Sequence, residues 1–410
     1  MAKKLIVIAS EWPEPDSSAA GSRMMQILNI FLSQNYSVLY LATAHRSDYM
    51  FDLESIALKT KQIQLNDDSF DDFIKQENPS IVLFDRFTAE EQFGWRVTEQ
   101  CPNCLKILDT EDLHFLRKAR HESIKKFGNL EQVNLYSDTA KREIASILRC
   151  DLSLVISTVE INLLQTKFKI NPDILFYLPF LYDQITDDDV SKLPSFEDRK
   201  DFVFIGNFFH EPNIDGVLQL KNEIWPLIKK IDNRLILNIF GAYMPQKITQ
   251  LNTVKDGFLV HGRAENARTV IENAKILLAP LRFGAGIKGK LVEAQKLGTP
   301  SITTTIGAEA MSENDLWNGF VTNDPNDFAS EAVKLYHQKE NWLVAQNTGF
   351  QIFNAQYNRK KFQSVFVEKI NFIQSTIIQH RQGNFLGSIL NYHSMQSTKY
   401  MSKWIIEKNK

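Results

Sequence analysis

Cysteine is scarce in this sequence, with three residues among 410, at Cys101, Cys104 and Cys150. So few thiols exclude a disulfide framework and are typical of a protein from a reducing compartment. Cys101 and Cys104 have the C-x-x-C spacing, but no second pair accompanies them, and this motif alone lacks the ligands of a closed zinc site. We therefore expect the pair to lie in an ordinary loop before a strand, without a redox role.

The sequence also lacks a strong charge excess and a long apolar run. The formal net charge is −2, so the charge balance does not indicate a nucleic-acid partner. No apolar run approaches the length that crosses a bilayer, and the N-terminus becomes polar too early for a signal peptide. We therefore expect a cytoplasmic protein, which would be membrane-associated only by touching a bilayer from that side.

Apolar runs of strand length alternate with helical patterns along the whole chain. Uninterrupted apolar strands separated by helices predict parallel sheets that helices cover on both faces. The polar, aperiodic segment 184–199 divides two such series and is predicted to be a linker. The sequence thus predicts an α/β fold with two tandem Rossmann-like, doubly wound domains, 1–183 and 200–374, followed by C-terminal helices at 375–410. The strands are predicted at 5–9, 38–42, 81–84, 105–108, 152–156, 174–178, 202–205, 235–240, 258–260, 276–279, 301–303 and 320–321.

The most informative segment follows the apolar run at 276–279, which leads into a glycine-rich turn. Gly284 and Gly286 precede a helix start, and Lys288 and Lys290 add positive charge; we call 284–290 the glycine-lysine loop. Clustered backbone N–H groups at such a helix start form a site for phosphate or diphosphate. A tight turn that needs only positive φ is the alternative.

Glu293 lies one turn into the helix that is predicted to begin near Gly289. From there its carboxylate can face the same crevice and accept hydrogen bonds from sugar hydroxyls, whereas a solvated helix face is the alternative. Anion donors and a hydroxyl acceptor at one strand end indicate a nucleotide-sugar site. Because ligands of doubly wound sheets bind outside the carboxyl ends of the strands, we expect the site in the cleft between the domains.

A second candidate anion site follows the first strand. Gly21, Ser22 and Arg23 open a helix there, and they should face the cleft and contact an acceptor or the donor phosphates. The alternative is that Ser22 only caps the helix.

Charged residues cluster just after another strand, at Asp109, Glu111, Asp112 and His114. A histidine beside carboxylates can orient or deprotonate a hydroxyl, which makes His114 and Asp112 catalytic candidates. Alternatively, Asp112 caps the following helix and Asp109 satisfies the loop. His210 also ends a strand, but a loop histidine without a role is favoured there.

Several of these segments recur together in a known family. The chain resembles the GT-B fold glycosyltransferases of family 4, or group 1, through 204–215 (FIGNFFHEPNID), 224–228 (IWPLI), 279–293 (APLRFGAGIKGKLVE), 297–300 (LGTP) and 305–311 (TIGAEAM). The first domain resembles that family more loosely, through 20–24 (AGSRM) and 109–114 (DTEDLH). The resemblance implies a nucleotide-sugar donor held mainly by the second domain and an acceptor held mainly by the first. It also implies transfer with retention, without a required metal or cofactor.

The chain departs from the family pattern at two places. Glu293 matches the second of two family glutamates and is implied to bind the nucleotide ribose, but Ala285 stands where the first would orient the donor sugar. The loop that begins at Gly206 and Asn207 lacks the arginine and lysine with which many relatives neutralise the diphosphate. The lysines of the glycine-lysine loop are then assigned that role. The candidate donor-binding residues are Gly206, Asn207, Gly284, Ala285, Gly286, Ile287 and Glu293, and the catalytic candidates are Lys288, Lys290, His114 and Asp112.

The sequence therefore predicts a glycosyltransferase that transfers a sugar to a hydroxyl of a glycan or a lipid-linked acceptor. Ala285 leaves open an alternative, a non-catalytic nucleotide-sugar-binding subunit of a glycan-assembly complex. A nucleotide-sugar epimerase of the same fold is disfavoured by the match in the second domain.

The tail at 392–410 combines apolar side chains, such as Tyr400 and Trp404, with Lys399, Lys403, Lys408 and Lys410. A basic amphipathic helix of this kind can lie on anionic lipid. A final helix that packs back on the first domain is favoured, because the apolar stripe is short. The two alternatives are compatible if the acceptor is lipid-linked.

Overall fold

The structure is a computed structural model that describes residues 3–313 and 316–408; Lys410 of the tail lies outside these residues. The described residues form two parallel sheets, of seven and six strands. The strands of the first sheet are β1 (Lys4–Ala9), β2 (Ser37–Ala42), β3 (Lys59–Gln62), β4 (Ile81–Asp85), β5 (Leu105–Asp109), β6 (Leu152–Val155) and β7 (Leu175–Tyr177). Those of the second are β8 (Lys200–Ile205), β9 (Leu237–Phe240), β10 (Phe258–Gly262), β11 (Ala274–Ala279), β12 (Ser301–Thr303) and β13 (Gly319–Val321).

The strand order is β3-β2-β1-β4-β5-β6-β7 in the first sheet and β10-β9-β8-β11-β12-β13 in the second. In each sheet the order changes direction beside the first strand, as in a doubly wound fold. The helices before and within the second sheet's series are α7 (Asp187–Ser191), α8 (Glu211–Gln219), α9 (Trp225–Ile231), α10 (Gln246–Thr249), α11 (Ala267–Asn273), α12 (Gly289–Lys296), α13 (Thr305–Ala308), α14 (Pro325–His337) and α15 (Lys339–Gln356). The helices of the first series are α1 (Ala19–Ser33), α2 (Ser69–Glu77), α3 (Arg86–Gln100), α4 (His114–Phe127), α5 (Asp138–Arg149) and α6 (Thr158–Thr166).

Both faces of each sheet carry a hydrophobic core. Leu5 and Val7 of β1 belong to one core cluster, whereas Ile6 and Ile8 belong to another on the opposite face. Successive side chains of a strand point to opposite faces, so an uninterrupted apolar strand must be covered on both. The predicted two-domain α/β architecture is therefore confirmed, and its strands lie within a few residues of the predicted ones.

One strand was not predicted. Strand β3 has the sequence KTKQ, pairs only with β2 at the sheet edge, and is largely exposed. Charged edge strands are a common protection against pairing with other chains, and they give no apolar signal. The predicted linker at 184–199 contains the short helix α7, and the exact domain limits stay a prediction.

The C-terminal helices return to the first domain, as predicted. They are α16 (Arg359–Ser375), α17 (Ile377–Gly383) and α18 (Phe385–Lys408). Phe366, Ile370 and Ile373 of α16 are buried in a first-domain core cluster, so the return begins at α16, before residue 375. Arg381 then forms an ion pair with Asp151 at 2.7 Å. In the part of the chain that is described, no helix combines the length and apolar character of a membrane span.

The chain crosses between the domains at two neighbouring points. Tyr182, which follows the first sheet, forms an isolated parallel bridge with Asn358, which precedes α16. The backbone N–H of Tyr182 donates to the Tyr357 carbonyl at 2.8 Å, and the N–H of Arg359 donates back to the Tyr182 carbonyl at 2.7 Å. The two crossing segments are thus hydrogen-bonded to each other.

Helix α1 is joined to the first sheet by a buried ion pair. The guanidinium of Arg23, 1% exposed, donates to both carboxylate oxygens of Asp109 at 2.9 to 3.2 Å and to the Leu178 carbonyl at 2.6 Å. Asp109 is fully buried at the end of β5. The arginine therefore connects α1, β5 and the segment after β7.

We expect Arg23→Met to lower the free energy of unfolding by about 3 to 5 kcal/mol, because it leaves the Asp109 carboxylate buried without its partner. Urea unfolding followed by circular dichroism measures the change. The double variant Arg23→Met with Asp109→Leu should recover part of the loss. As a control, Arg46→Ala breaks the exposed pair with Glu54 and should cost less than about 1 kcal/mol; equal losses at both arginines would contradict a structural role specific to Arg23.

Candidate functional site

The carboxyl ends of the two sheets face each other, and their loops meet in the cleft. The Tyr243 hydroxyl, after β9, donates to the Glu14 carboxylate, after β1, at 2.9 Å. The Asn207 side chain, after β8, donates to the Ser17 carbonyl at 3.3 Å. Residues of both domains thus line one site at the position that the fold assigns to ligands.

The glycine-lysine loop packs closely against the first domain. Gly286 has φ 61°, and a Cβ placed there would lie 2.8 Å from the Cβ of Asp112. A Cβ on Gly289, the first residue of α12, would lie 2.5 Å from the Cβ of Ala19. Ala285 packs against a first-domain core cluster. The glycines therefore allow the backbone of the second domain to approach the first closely, in addition to forming the predicted turn.

Three first-domain side chains hold this loop. Arg120 of α4 donates to the Gly284 carbonyl at 2.8 Å and pairs through both terminal nitrogens with Glu309 at 2.7 and 2.8 Å. His121 stacks on Phe283 with a ring separation of 4.5 Å. The third is a glutamate: Glu160 of α6 accepts a hydrogen bond from the Gly286 N–H at 2.8 Å. One of the N–H groups predicted to bind an anion is thus already bonded to a carboxyl group.

Lys288 is buried at the N-terminal end of α12. Its Nζ donates to the Gly286 carbonyl at 2.9 Å. Burial lowers the pKa of Lys288 to about 8, although the nearby carboxylates of Glu309, Glu160 and Asp112 oppose this shift. A buried ammonium group whose pKa lies close to neutral pH can be stabilised by an anionic partner.

Lys290 lies on the other side of the helix start, near the loop after β8. Its Nζ donates to Oδ1 of Asn213 at 2.7 Å and lies 3.9 Å from the centre of the Phe204 ring. A Cβ on Gly206 would lie 2.8 Å from this Nζ. Desolvation lowers the pKa of Lys290 to about 7. The structure thus brings Lys290 and the predicted donor residue Gly206 together.

Glu293 is held by a residue that the sequence did not single out. Its Oε1 accepts a hydrogen bond from the Tyr182 hydroxyl at 2.8 Å, and its Oε2 lies 3.7 Å from Nζ of Lys296. About a third of the Glu293 side chain, 32%, remains exposed. Tyr182 belongs to the crossing segment, so no local pattern could have linked it to α12.

Asp112 and His114 lie together, but their contacts differ from a helix cap. The residue that caps α4 is Leu113, without a side-chain hydrogen bond, so the predicted capping by Asp112 is wrong. Instead, Glu143 of α5 accepts from the N–H groups of His114 and Phe115 at 3.1 and 2.8 Å. The sequence did not indicate this role of Glu143, because the residue lies on a different helix from the N–H groups that it binds.

The charges around Asp112 fix its protonation state. Burial opposes its ionisation, but an ion pair with Arg117 and the fields of His114 and His210 lower the pKa of Asp112 to about 2. Burial and Arg117 lower the pKa of His210 to about 4, which Asp112 partly offsets. His114 Nδ1 lies 3.1 Å from the Asp112 carbonyl and 3.5 Å from a Glu143 carboxylate oxygen. Asp112 is thus a fixed negative charge beside the His114 ring.

Gly21, Ser22 and Arg23 have packing and hydrogen-bonding partners within the first domain, and their anion-binding role stays a prediction. Ser18, and not Ser22, caps α1 by accepting from the Gly21 N–H at 3.0 Å. The Ser22 hydroxyl donates to the Pro15 carbonyl at 2.9 Å, and Arg23 is enclosed with Asp109 as described above. A Cβ on Gly21 would lie 2.4 Å from the Glu14 backbone, so this glycine serves close packing of the loop after β1.

Two strained residues stand at neighbouring strand ends. Arg86, after β4, and Glu111, after β5, have φ of 67° and 59°, values that non-glycine residues rarely adopt outside functional or tightly held sites. Asp85 and Glu111 are buried, and one carboxylate oxygen of each has no hydrogen-bond partner among the described residues. The sequence analysis placed Glu111 in this area but gave no weight to Asp85 and Arg86.

No metal centre is evident in the described part of the chain: residues 3–313 and 316–408 contain no group of three or more His, Cys, Asp and Glu side chains arranged to hold a metal ion.

Comparison with known proteins bears on this site. Residues 199–338 match the family model described as Glycosyl transferases group 1. A Klebsiella pneumoniae protein described as an uncharacterized 44.6 kDa protein in cps region is 23% identical over 174 residues, which is 40% of this chain and 45% of that relative. The chain therefore spans less than half the length of this curated relative.

Solved structures share the two-domain arrangement. Sucrose-phosphate synthase from Thermosynechococcus elongatus has a TM-score of 0.67 at 13% identity, over 91% of this chain and 100% of its own. A mutant of S. aureus TarM in complex with fondaparinux, α-GlcNAc-glycerol and UDP has a TM-score of 0.70 at 10% identity, over 90% and 100%. Anabaena HepE in complex with UDP has a TM-score of 0.65 at 12% identity, over 90% and 99%. The chain thus has the GT-B fold.

The lowered pKa of Lys290 predicts a pH-dependent stability. Below pH 7 the lysine is protonated in both states, and the folded state bears the full cost of burying the charge. As pH rises from about 7 towards 10.5, the unfolded chain binds the extra proton, so stability rises with pH. From pH 6 to 9, we expect the unfolding free energy of wild type to rise relative to that of Lys290→Met. The rise should be at most about 1.4 kcal/mol per pH unit.

Urea unfolding at each pH measures this difference. Lys230→Met, at an exposed lysine of α9, is the matched control and should give a constant difference. A constant difference for Lys290→Met as well would mean that its ammonium keeps its charge in the folded protein.

Proposed function

We propose that this chain, whose second domain belongs to the group 1 glycosyltransferases, is a retaining, metal-independent glycosyltransferase. It would transfer a sugar from a nucleoside diphosphate-sugar to a hydroxyl of a glycan or lipid-linked acceptor. The observation that carries this proposal is the pair of desolvated lysines, Lys288 and Lys290, on either side of the start of α12 in the interdomain cleft.

The lysines would act on the leaving group. A nucleoside diphosphate gains negative charge as the sugar departs, so cations that are already fixed beside it lower the barrier. An arriving diphosphate would raise the pKa of both ammonium groups, which burial lowers. Two such lysines supply the charge that a divalent metal gives in other transferases, which supports a mechanism without a metal.

The remaining donor contacts follow from α12 and the adjoining loops. The partly exposed Glu293 would bind the ribose hydroxyls, with Tyr182 fixing its carboxylate. Gly206, Asn207 and the loop residue Ile287 would contact the donor through backbone or short side chains. The UDP complexes of TarM and HepE make uridine nucleotides the first donors to test.

The acceptor would bind against the first domain. His114 can orient or deprotonate an acceptor hydroxyl, while the ionised Asp112 stabilises the imidazolium. Closure of the domains over the donor would exclude water and limit hydrolysis. The cps region named for the Klebsiella relative supports a role in polysaccharide biosynthesis.

Ala285 motivates the second candidate, a non-catalytic nucleotide-sugar-binding subunit. Ala285 packs against the first-domain core, so packing can explain why an alanine stands there. The alanine is then no sign of lost activity, which favours the glycosyltransferase. Tight nucleotide binding without donor hydrolysis or transfer to a range of acceptors would favour the binding subunit. Conversion of the donor alone into an epimer would instead support an epimerase.

The central test is a thermal-shift panel of UDP, GDP, CDP, ADP and their sugars, with and without EDTA. A ligand at 100 times its Kd stabilises the native state by about 2.7 kcal/mol, so we expect one nucleotide series to raise the Tm regardless of EDTA. Lys288→Ala and Lys290→Ala should each weaken this shift and lower turnover by about 100-fold.

Lys334→Ala, at an exposed lysine paired with Glu331, serves as the control and should match wild type. Binding that disappears in EDTA would contradict metal independence. The absence of a shift with every nucleotide would overturn the donor site, and lysine variants with unchanged binding and turnover would remove the lysines from the mechanism.

We also propose a peripheral membrane contact through α18. Tyr400, Met401 and Trp404 are exposed on this helix together with Lys403, an arrangement that can bind anionic lipid. Packing of α18 on the first domain leaves these side chains exposed, so the proposed membrane contact is compatible with that packing.

Sedimentation with vesicles tests this contact. We expect binding to phosphatidylglycerol-containing vesicles that exceeds binding to phosphatidylcholine vesicles and falls when Lys403→Glu and Trp404→Ser are combined. Equal sedimentation of wild type and the double variant would exclude α18 as the contact.

A further inference from the structure

Glu160 of the first domain accepts a hydrogen bond from the backbone of the glycine-lysine loop. It lies in the first turn of α6, directly after β6, and is fully buried. Its Oε1 accepts two hydrogen bonds, from the Leu113 N–H at 3.0 Å and from the Gly286 N–H at 2.8 Å. One oxygen atom thus joins the loop before α4 to the loop before α12.

The second oxygen of this carboxyl group is unused. Oε2 is buried and has no hydrogen-bond partner among the described residues. A buried polar atom without a partner destabilises the fold by about 1 to 3 kcal/mol, and a hydrogen bond from a ligand would remove that penalty. Asp112 and Lys288 are charged neighbours of this carboxyl group, and both are candidate catalytic residues.

The position of the donor indicates which ligand group would meet Oε2. With the diphosphate at Lys288 and Lys290, the attached sugar must lie towards the first domain, because the acceptor hydroxyl approaches from there. Gly286 and Asp112 are in contact at this boundary between the domains. Ala285 offers no polar group to the sugar. Among the buried side-chain atoms without a hydrogen-bond partner in the described residues, Oε2 of Glu160 belongs to a carboxyl group that is itself bonded to this loop.

We propose that Glu160 is a donor-sugar specificity residue, in which Oε2 forms a hydrogen bond with a hydroxyl of the transferred sugar while Oε1 stays bonded to Gly286 and Leu113. This inference rests on the proposed function. It assigns recognition of the sugar to the first domain, although the diphosphate and ribose are bound by the second. Burial, aided by Asp112, raises the pKa of Glu160 to about 8, and a carboxyl group that titrates there can exchange either kind of hydrogen bond with a hydroxyl.

A latch that only closes the domains is the competing role, and it would use Oε1 alone. The two roles differ in the ligand part that they affect. A latch changes the affinity for a nucleoside diphosphate and for its sugar conjugate by the same factor. A sugar contact changes only the additional affinity that the sugar provides.

Calorimetry with matched ligand pairs distinguishes these roles. The pairs are UDP with UDP-glucose, UDP with UDP-N-acetylglucosamine and GDP with GDP-mannose, and the pair that wild type binds is carried forward. In Glu160→Leu, we expect the ratio of the two dissociation constants to change by about tenfold against the sugar conjugate. Glu160→Asp keeps a carboxyl group on a shorter side chain and should lose the same sugar-dependent affinity. It replaces the leucine variant if that variant does not fold. Glu160→Gln keeps both hydrogen-bonding positions and should retain most of this affinity.

Deoxy analogues of the same donor complete the test. Loss of the contacted hydroxyl should weaken binding about tenfold in wild type but have little effect in Glu160→Leu or Glu160→Asp, because coupled partners are not additive. Glu90→Leu removes a fully buried glutamate that pairs with Arg149 and so controls for lost stability; its ratio of dissociation constants should equal that of wild type.

An unchanged ratio in both Glu160→Leu and Glu160→Asp would overturn the specificity role while leaving the proposed function intact. Equal weakening of both members of a ligand pair would also overturn it, in favour of the latch. Failure of wild type to bind any of these nucleotides would overturn the proposed function itself, and this inference with it.

Discussion

The contact between the glycine-lysine loop and the first domain is the constraint on which the site depends. Gly286 and Gly289 have no side chains, and the space that a Cβ would fill is taken by Asp112 and Ala19. The backbone of one domain can therefore reach the carboxyl groups of the other. This contact buries Lys288, positions Glu160 on the loop, and sets the catalytic candidates of both domains within one cleft. A wider separation would leave Lys288 more hydrated and its pKa closer to that of a free side chain.

Much of the architecture could be predicted from the sequence because both sheets consist of buried parallel strands, whose apolar runs are uninterrupted. Strand β3 could not, since it lies at an edge and its KTKQ sequence is polar. The glycine-lysine loop was recognisable because its chemistry is local: glycines, lysines and a helix start within a few residues. The sequence could not show that these glycines also allow close contact with the first domain, because that contact depends on how the domains pack.

The errors at the candidate site have the same origin. Arg23 has the type and position of an anion-binding residue, and only the fold reveals its pairing with Asp109, 86 positions away. Glu143 and Glu160 satisfy backbone N–H groups that sequence analysis assigned to caps or ligands, and each does so from another helix. Local patterns identify residues that are capable of a given chemistry. Tertiary partners then determine which of them are free to carry it out.

The paired crossing segments at Tyr182 and Asn358 have a mechanical consequence. A single connecting segment would let the domains rotate about it in any direction. Two segments that are hydrogen-bonded to each other restrict this rotation. Any change in the angle between the domains would therefore have to bend both segments together. Because the Tyr182 hydroxyl also bonds Glu293, this double crossing is in direct contact with the residue that we propose to bind the nucleotide, and a bound nucleotide would then restrain the connection between the domains.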